Sequence, residues 1–261
     1  MNKILVIGDI HGRKFWEKPC ENIEKYQRVI FLGDYFDPYS FENIGFDDCI
    51  QNFQKIIELK KNNTNKVVLL LGNHDEPYVS DIYYHFSIWH CRHSSTYHDA
   101  IHKLFNDNID FFKIAHVEKD ILFTHAGVDS RWLERIVKCN ETEINKICDV
   151  LNDLQNNRHG LEKLYCISRE RGGRDICGSC IWADVHDMLW DVDHVMDEYH
   201  KDDRKPIHDI KQVFGHTIQA YYDKDGNIVF GNAIEFENIK MVDTTKPYEL
   251  NIDDFKMKVA E

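Results

Sequence analysis

Four apolar runs of this chain are each followed directly by a short polar stretch that combines glycine with a carboxylate, amide or imidazole side chain. The runs are residues 4–7, 29–32, 67–71 and 121–123, and a shorter fifth run is residues 213–214. The polar stretches are Gly8-Asp9-Ile10-His11-Gly12, Gly33-Asp34-Tyr35-Phe36-Asp37, Gly72-Asn73-His74-Asp75, Thr124-His125-Ala126-Gly127 and Gly215-His216-Thr217. Continuous apolar runs of this length are typical of buried strands, so the polar side chains should collect at one sheet edge.

The segments between these runs predict an α/β fold. Residues 46–57 carry apolar side chains at helical spacing, and the alternation of strand and helix implies a largely parallel sheet with helices packed on it. Residues 111–117 and 121–123 predict an antiparallel hairpin. Other expectations are a helix over residues 81–106 that breaks near Ser94, strands over residues 212–245, and a turn at Asp225-Gly226.

Residues 130–165 predict two or three helices, with Asn140 and Glu143 as a capping box for the longest one. No repeat or linker-like segment interrupts the chain. We therefore expect one domain over residues 1–261, with residues 130–205 as a partly helical cap inserted beside the site.

The charge balance excludes some classes of function. Lys and Arg number 32 against 45 Asp and Glu, which gives a net charge of −13, so broad nucleic-acid binding is not expected. No apolar run approaches the ~20 residues of a membrane span, and the first strand follows Met1 too closely for a signal peptide. With eight cysteines expected as reduced thiols, these features indicate a soluble, cytoplasmic protein without membrane partners.

Side chains of the five polar stretches form a ligand set for divalent transition metals. The six candidates are Asp9, His11, Asp34, Asn73, His125 and His216. Mixed oxygen and nitrogen ligands suit Mn²⁺, Fe or Zn²⁺ better than Ca²⁺, which prefers oxygen alone. Because the Asp34 carboxylate has two oxygens, it could bridge two cations. We expect two divalent ions, with Mn²⁺ as the first choice.

Two adjacent cations form a clamp for in-line displacement at phosphorus, with a bridging hydroxide as the nucleophile. His74 follows Asn73 directly, so its side chain should point toward a substrate and protonate the leaving alkoxide. Asp37, three residues after Asp34, could orient that imidazole and hold it protonated. The catalytic pair predicted from the sequence is therefore His74 with Asp37.

The ordered motifs Asp-x-His-Gly, Gly-Asp-x-x-Asp, Gly-Asn-His-Asp, His-x-Gly and Gly-His resemble those of the calcineurin-like metallophosphoesterase superfamily, over residues 8–217. The resemblance implies a β-sandwich of two mixed sheets flanked by helices, one sheet built from N-terminal strands and the other from C-terminal strands. It implies that Asp9, His11 and Asp34 bind one metal, and that Asp34 binds the other with three further ligands, namely Asn73, His125 and His216.

The motif details favour one branch of that superfamily. Many phosphodiesterase members have a second histidine where this chain has Ile218, so the chain looks more like serine/threonine phosphoprotein phosphatases and their bacterial, phage and dinucleoside polyphosphatase relatives. Two departures from that branch are Pro38-Tyr39 in place of Arg-Gly, and Asp75 in place of Glu. The missing phosphate-binding arginine needs a replacement.

Arg169, Arg171 and Arg174 are the candidates for that replacement, since a guanidinium donates two parallel hydrogen bonds to a phosphate. They surround Gly172-Gly173, and the nearby Trp182-Ala183-Asp184 resembles a Trp-x-Asp element of the same branch. Cys177 and Cys180 lack a second ligand pair and are interpreted as thiols in a loop. The histidines at positions 85, 90, 93, 98 and 102 are interpreted as scattered, exposed imidazoles on two short helices.

The predicted function is hydrolysis of a phosphate monoester, most concretely a phosphoserine or phosphothreonine side chain. The alternative is a dinucleoside polyphosphate or nucleotide hydrolase, in which residues 168–205 hold the polyphosphate and a base. Further alternatives are a phosphodiesterase and an inactive scaffold on the same fold. The intact ligand set argues against a scaffold.

Overall fold

The computed structural model describes most of the chain: residues 2–80, 90–185, 188, 207, 210–218, 220–222, 228–230, 233–236 and 238–261. Several sequence predictions fall wholly or partly outside the described residues. They include the first nine residues of the helix predicted over residues 81–106, the turn at Asp225-Gly226, parts of the strands predicted over residues 212–245, and the end of the expected insert, from residue 186 to residue 205 apart from residue 188.

Strands form where the sequence has its apolar runs, so the predicted strands over residues 4–7, 29–32, 67–71 and 121–123 are confirmed. The described strands are β1 (Lys3–Ile7), β2 (Arg28–Phe31), β3 (Val67–Leu70), β4 (Phe112–Lys113), β5 (Ala115–Glu118), β6 (Ile121–Thr124), β7 (Lys211–Phe214), β8 (Ala220–Tyr222), β9 (Ile228–Phe230), β10 (Ile234–Phe236), β11 (Ile239–Met241), β12 (Pro247–Asn251) and β13 (Lys256–Val259).

The described helices are α1 (Glu17–Cys20), α2 (Phe46–Asn62), α3 (Glu76–Val79), α4 (His98–Asn106), α5 (Ser130–Trp132) with a π-helical continuation at Leu133–Val137, α6 (Ile144–Asp153) and α7 (Arg158–Leu164). Short 3₁₀ turns lie at Ile23–Lys25, Ser40–Glu42, Ile109–Phe111, Leu154–Asn156 and Arg169–Arg171. The predicted capping box was wrong, because Glu143 itself occupies the N-cap position of α6 and its side chain makes no capping hydrogen bond. In the described part of the chain, no helix has the length and apolar character that a membrane span needs.

The larger sheet has the strand order β13-β12-β1-β2-β3-β4. Strands β1 to β4 are parallel, as the strand–helix alternation predicts, with Val6 beside Ile30 and Ile30 beside Val68. β12 runs antiparallel to β1, and β13 runs antiparallel to β12. Because parallel strands end at the same sheet edge, the loops after β1, β2 and β3 are neighbours.

The smaller sheet has the order β10-β11-β7-β6-β5, and β8 pairs with β9 in a separate ribbon. Strands β6, β7 and β11 are parallel, whereas β5 and β10 are antiparallel to their neighbours. The expectation that the C-terminal strands all join this second sheet was wrong. β12 instead pairs with β1 and buries Tyr248 and Leu250 between the sheets, which covers the edge that β1 would otherwise expose.

Alternate residues of the strands face the two layers of the core. In β1, Ile4 and Val6 face the second sheet and pack in one cluster with Phe123 of β6. Leu5 of β1 points to the opposite face, where it joins a cluster that contains Phe53 of α2. The structure is therefore a mixed α/β fold in which two mixed sheets pack face to face, flanked by helices.

The hairpin prediction was confirmed for β5 and β6, which pair antiparallel, but not for residues 111–113. Phe111 ends a 3₁₀ turn, and Phe112 and Lys113 form β4 in the larger sheet. The chain thus passes from one sheet to the other within a few residues. The Asn152 carboxamide of α6 fixes this crossing, since its oxygen accepts the backbone N–H groups of Ile114 and Ala115 at 3.0 and 3.1 Å.

Candidate active site

The loops after β1, β2, β3, β6 and β7 meet where the two sheets come together. The His11 backbone N–H donates to the Asp34 carbonyl at 2.7 Å, which joins the loops after β1 and β2. The Asp9 carboxylate links this sheet to the other one, because it accepts the His216 backbone N–H at 3.0 Å. The site therefore lies between edges of both sheets, and the expectation of a single sheet edge is corrected.

Four residues of these loops hold a left-handed backbone conformation. They are His11, Asp34, Asp37 and His216, with φ angles of 43°, 55°, 59° and 66°. A left-handed non-glycine residue costs about 1–3 kcal/mol and persists only where its surroundings enforce it. The strained backbone aims these side chains, and no sequence pattern marks it, because none of the four is glycine.

Three potential ligand atoms lie close to Nε2 of His125, which is itself a fourth potential ligand atom. The distances from that nitrogen are 2.9 Å to Asn73 Oδ1, 3.0 Å to His216 Nδ1 and 3.4 Å to Asp34 Oδ2. All four side chains are buried. His125 Nδ1 lies 2.8 Å from the Leu32 carbonyl, so it donates its proton there and leaves Nε2 to face the other ligands.

This arrangement fits a divalent cation. Ligand atoms about 2.1 Å from one ion lie about 3.0–3.4 Å apart, depending on the coordination angle. The separations around His125 Nε2 fall close to that range. Lone pairs that are buried this close to one another repel, and a cation between them would remove that repulsion.

A second group of ligands adjoins the first through Asp34. His11 Nε2 lies 3.6 Å from Asp34 Oδ2. His11 Nδ1 lies 2.7 Å from the Phe36 carbonyl, so the lone pair of the neutral ring is on Nε2, where the Arg92 Nη2 lies 3.3 Å away. Asp9 is buried and lines one cavity together with His11 and Asp34. The structure thus brings together all six ligands proposed from the sequence, in two sets that share Asp34.

The pKa values of the site reflect its burial and charge. Burial lowers the pKa of His11 and of His216 well below the usual histidine range, so both imidazoles are neutral and able to bind a cation. Burial also opposes the charged form of His125, but the Asp34 and Asp9 carboxylates and the Leu32 carbonyl together outweigh it and raise the pKa of His125 to about 9. Burial would raise the pKa of Asp34, yet His125 and His74 hold it well below its usual value.

We expect Mn²⁺ binding to release a proton from His125. Because the pKa of His125 is about 9, the imidazole is protonated at a lower pH in the metal-free protein. A metal ligand must be neutral, so cation and proton compete for this nitrogen. The affinity for Mn²⁺ should therefore rise by up to about tenfold per pH unit until pH 9 and then level off. Calorimetric titrations in buffers of different ionisation enthalpy measure this proton release. A binding enthalpy independent of the buffer would contradict the prediction.

His74 and Asp37 form the pair that the sequence predicts. His74 Nδ1 lies 2.8 Å from Asp37 Oδ2, and both side chains are buried. The other carboxylate oxygen of Asp37 accepts the Tyr78 hydroxyl at 2.6 Å. With Nδ1 engaged by Asp37, Nε2 is the ring nitrogen of His74 that is turned away from this carboxylate. Ligand atoms of His74, His11 and Asp34 also lie within 4.8 Å of one another, so the imidazole is next to the metal ligands.

The histidines after this pair are not scattered, and that expectation was wrong for three of them. The His93 ring stacks on Tyr78 with centroids 4.5 Å apart, and His93 Nε2 lies 3.1 Å from His98 Nδ1. His102 stacks on His98 and its Nδ1 lies 2.7 Å from the Tyr78 carbonyl. These imidazoles support the tyrosine that contacts Asp37. His85 lies outside the described residues.

Asp75 has a structural function that the sequence did not indicate. Its carboxylate is fully buried and accepts three backbone N–H groups: Asp34 at 2.7 Å, Tyr35 at 2.8 Å and Gly72 at 2.9 Å. These bonds tie the loop after β3 to the loop after β2. Burial, reinforced by the Asp34 charge, raises the pKa of Asp75 well above its usual value. The only available signal was the departure from glutamate at this position of the family motif.

Gly72 permits the close approach of these two loops. A Cβ atom on Gly72 would lie 2.1 Å from Asp34 Oδ1 and 2.8 Å from His125 Cε1. The facing Gly33 has φ +113°, and a Cβ there would lie 2.4 Å from the Gly72 nitrogen. The glycines of Gly-Asp and Gly-Asn-His thus allow the Asp34 carboxylate and the His125 imidazole to lie against the backbone.

A cavity of about 290 Å³ opens over the ligands. Described residues that line it besides the ligands and His74 are Tyr39, His90, Arg92, Glu170, Arg171, Trp182 and Ile218. Arg92 is a residue that the sequence analysis missed. Its guanidinium lies 3.6 Å from the Tyr39 ring centroid, and its Nε donates to the Asp37 carbonyl at 3.0 Å. Pro38-Tyr39 stand in place of the Arg-Gly of the family branch, and the Tyr39 ring supports the Arg92 guanidinium instead.

The three arginines predicted to hold phosphate do not share one cavity. Arg171 borders the cavity over the ligands, where its Nη2 donates to Thr217 Oγ1 at 2.7 Å and its Nε lies 2.8 Å from Asp184 Oδ2. Arg169 and Arg174 line a separate cavity. The Trp-x-Asp element is close to the site as expected, because Trp182 borders the cavity and Asp184 holds Arg171.

All eight cysteines are free thiols, and Cys177 and Cys180 are buried. Burial raises the pKa of Cys177 to about 12 and that of Cys180 further, so both stay protonated at neutral pH. Nothing in the described surroundings of this pair offers the further ligands that a zinc site needs.

A family comparison agrees with the geometry. The family model described as calcineurin-like phosphoesterase matches residues 2–220. The chain belongs to this family. The phosphoesterase is a metal-dependent enzyme that hydrolyses phosphoester bonds, and its clusters of His and Asp fit the divalent metals that such enzymes bind.

Solved structures similar to this phosphoesterase include three of low sequence identity. A protein serine/threonine phosphatase from Saccharomyces cerevisiae, with similarity to human phosphatase PP5, is 14% identical with a TM-score of 0.47 over 99% of this chain and 78% of that one. A candidate diadenosine tetraphosphatase is 14% identical with a TM-score of 0.46, covering 99% and 93%. A metallophosphoesterase from Sphaerobacter thermophilus is 11% identical with a TM-score of 0.42, covering 99% and 88%. A search of curated proteins gave no significant match.

Proposed function

We propose that this phosphoesterase hydrolyses phosphate monoesters, with phosphoserine and phosphothreonine side chains as the first choice of substrate. The observation that carries the proposal is the buried His74–Asp37 pair, 2.8 Å apart, beside two ligand sets that share Asp34. We propose a single domain over residues 1–261, in which residues 130–205 form a cap that shapes specificity, and a cytoplasmic location.

The metal centre in this proposal holds two divalent cations, with Mn²⁺ preferred over Fe or Zn²⁺. When bound, the cations supply a water of lowered pKa and neutralise charge on the phosphoryl oxygens. Asp9 and His11 would hold one ion. The other would be held by Asn73 and the two further imidazoles of His125 and His216, with Asp34 bridging both. The distances around His125 Nε2 support this assignment.

The remaining side chains have proposed roles in binding and proton transfer. Arg171 and Arg92 border the cavity and would donate hydrogen bonds to the phosphoryl oxygens. His74 would protonate the leaving alkoxide through Nε2, because its Nδ1 is held by Asp37. Tyr78 donates to the second oxygen of Asp37 and so fixes the carboxylate that orients the imidazole.

A monoester substrate is favoured over a diester by the absence of an extra imidazole at position 218. Ile218 borders the cavity, where the diesterase branch carries a further histidine ligand. The second candidate function is hydrolysis of dinucleoside polyphosphates or other nucleotides. It is favoured by the aromatic side chains of Tyr39 and Trp182 in the cavity wall, which could contact a base.

Paired assays of p-nitrophenyl phosphate and bis-p-nitrophenyl phosphate in Mn²⁺ test the proposal. We expect the monoester to be hydrolysed at least about tenfold faster. The Asp34→Asn variant should lose about 100-fold or more of that activity, because it weakens the ligand shared by both ions. Competition by nucleotides at micromolar concentration would favour the second candidate. Hydrolysis of the diester alone would contradict the choice of substrate.

A further inference from the structure

The loop of residues 168–175, here called the arginine loop, borders two cavities. Arg171 borders the cavity over the metal ligands. Arg169 and Arg174 line a second cavity of about 360 Å³, together with Arg131 and Arg135 from the helical segment after β6. We call this second cavity the arginine cavity. One short loop thus presents guanidinium groups to the catalytic site and to a neighbouring surface.

Backbone hydrogen bonds hold the arginine loop in one shape. The Arg169 N–H donates to the Asp175 carbonyl at 3.1 Å, and the Asp175 N–H donates to the Ile167 carbonyl at 3.1 Å. The Gly173 N–H donates to the Ser168 carbonyl at 2.9 Å, and a Cβ on Gly173 would lie 2.0 Å from the Ile167 carbonyl oxygen. The loop therefore fixes which arginine faces which cavity.

Among the described residues, the arginine cavity is lined by four arginines and one carboxylate, that of Asp175, so its lining carries a net positive charge on an acidic protein. Arg131 is buried and paired with Asp129, its Nε lying 3.0 Å from Oδ1. Arg169 and Arg174 are exposed, and in the described part of the chain their side chains form no hydrogen bond or ion pair. With a net charge of −13 over the whole chain, this local excess of guanidinium groups attracts an anionic partner.

Apolar side chains at the same place indicate that the partner is more than a phosphate ion. Ile176 and Ile136 line the arginine cavity and are 56% and 39% exposed. Large aliphatic side chains with this exposure gain free energy when a partner covers them. Guanidinium groups beside exposed isoleucines match a polypeptide in which carboxylates flank a bulky apolar side chain.

We propose that the arginine cavity docks an acidic segment of the polypeptide substrate, close in sequence to the phosphorylated residue. This proposal rests on the proposed phosphoprotein phosphatase function. The 3₁₀ turn Arg169–Arg171 separates the two sites by roughly 2 Å per residue, and an extended peptide covers about 3.3 Å per residue. A few residues of substrate therefore reach from one cavity to the other.

Binding is tested first, independently of catalysis. The probe is a fluorescein-labelled, unphosphorylated peptide in which several glutamates flank a leucine, and its matched control has glutamine at each glutamate. We expect the R169Q/R174Q variant to bind the acidic peptide about 5–30-fold more weakly than the wild type by fluorescence anisotropy. Arg158→Gln is the matched control variant, because Arg158 is exposed on α7 and pairs only at the surface with Glu162.

Catalysis is tested second, with phosphopeptides that carry either the acidic or the glutamine extension. The wild type should prefer the acidic phosphopeptide through a lower KM, and R169Q/R174Q should lose that preference. Equal binding by wild type and variant, or equal affinity for both peptides, would overturn the proposal. Displacement of the peptide by diadenosine tetraphosphate in the wild type, but not in R169Q/R174Q, would also overturn the proposal. It would assign the arginine cavity to a nucleotide. If the acidic peptide binds as expected but no phosphopeptide is hydrolysed, the docking site stands and the proposed function fails.

Discussion

His74→Asn is expected to retain its metal and lose about 10²–10⁴-fold in kcat, the range for lost general acid catalysis. The carboxamide cannot protonate a leaving alkoxide, although it can still accept or donate a hydrogen bond at Asp37. The loss should depend on the leaving group. Phenyl phosphate, whose leaving phenolate is more basic than p-nitrophenolate, should be affected more strongly than p-nitrophenyl phosphate.

The measurements are kcat for both esters and metal content by mass spectrometry. His159→Asn is the matched control, because His159 is exposed on α7. Ligand atoms of His74, His11 and Asp34 lie within 4.8 Å of one another, so a metal role for His74 is the competing interpretation. Loss of metal in His74→Asn would support that competing role. An equal loss of activity on both esters would argue against proton donation.

Gly72→Ala is expected to disrupt the metal centre and destabilise the fold. Its Cβ would lie 2.1 Å from Asp34 Oδ1 and 2.7 Å from the Asp34 nitrogen, so the loop after β2 must move. Overpacking of this kind costs about 1–3 kcal/mol of unfolding free energy. Displacing a shared ligand by about 1 Å should lower activity about 100-fold or more. Urea unfolding, bound Mn²⁺ and turnover measure the three effects.

Gly45→Ala is the matched control for this substitution. Gly45 is the N-cap of α2, where a Cβ would meet its nearest neighbour, Asp48 Oδ2, at 3.4 Å. Alanine in place of glycine at an N-cap costs up to about 1 kcal/mol of unfolding free energy. Because Gly45 does not line the cavity over the ligands, bound Mn²⁺ and turnover should stay unchanged in this control. A Gly72→Ala protein with full metal content and turnover would mean that the contact between the two loops does not position Asp34.

The sequence analysis was most successful where local pattern and side-chain chemistry suffice. Each apolar run became a strand, and the six predicted ligands lie together. The pairing of Asp37 with His74 also followed from spacing alone. These features were predictable because a buried strand ends where its apolar run ends, and because few side chains bind divalent metals.

The arginines were predicted less well. Gly172-Gly173 marked the right loop. Spacing did not distinguish Arg171, which borders the cavity over the metal ligands, from Arg169 and Arg174, which line the arginine cavity. Arg92 carried no signal at all, because it reaches the site by stacking on Tyr39 from a distant part of the chain. Such contacts depend on which segments pack together.

By itself, the sequence determined the strands, the six candidate ligands and the candidate pair of His74 with Asp37, since each depends on residue type and short-range spacing. Only the tertiary structure decided that two sheet edges share the site, that β12 completes the first sheet, and that Asp75 ties the loops after β2 and β3 together. It also decided the left-handed backbone at His11 and Asp34. These features depend on long-range packing and hydrogen bonds, which no local pattern encodes.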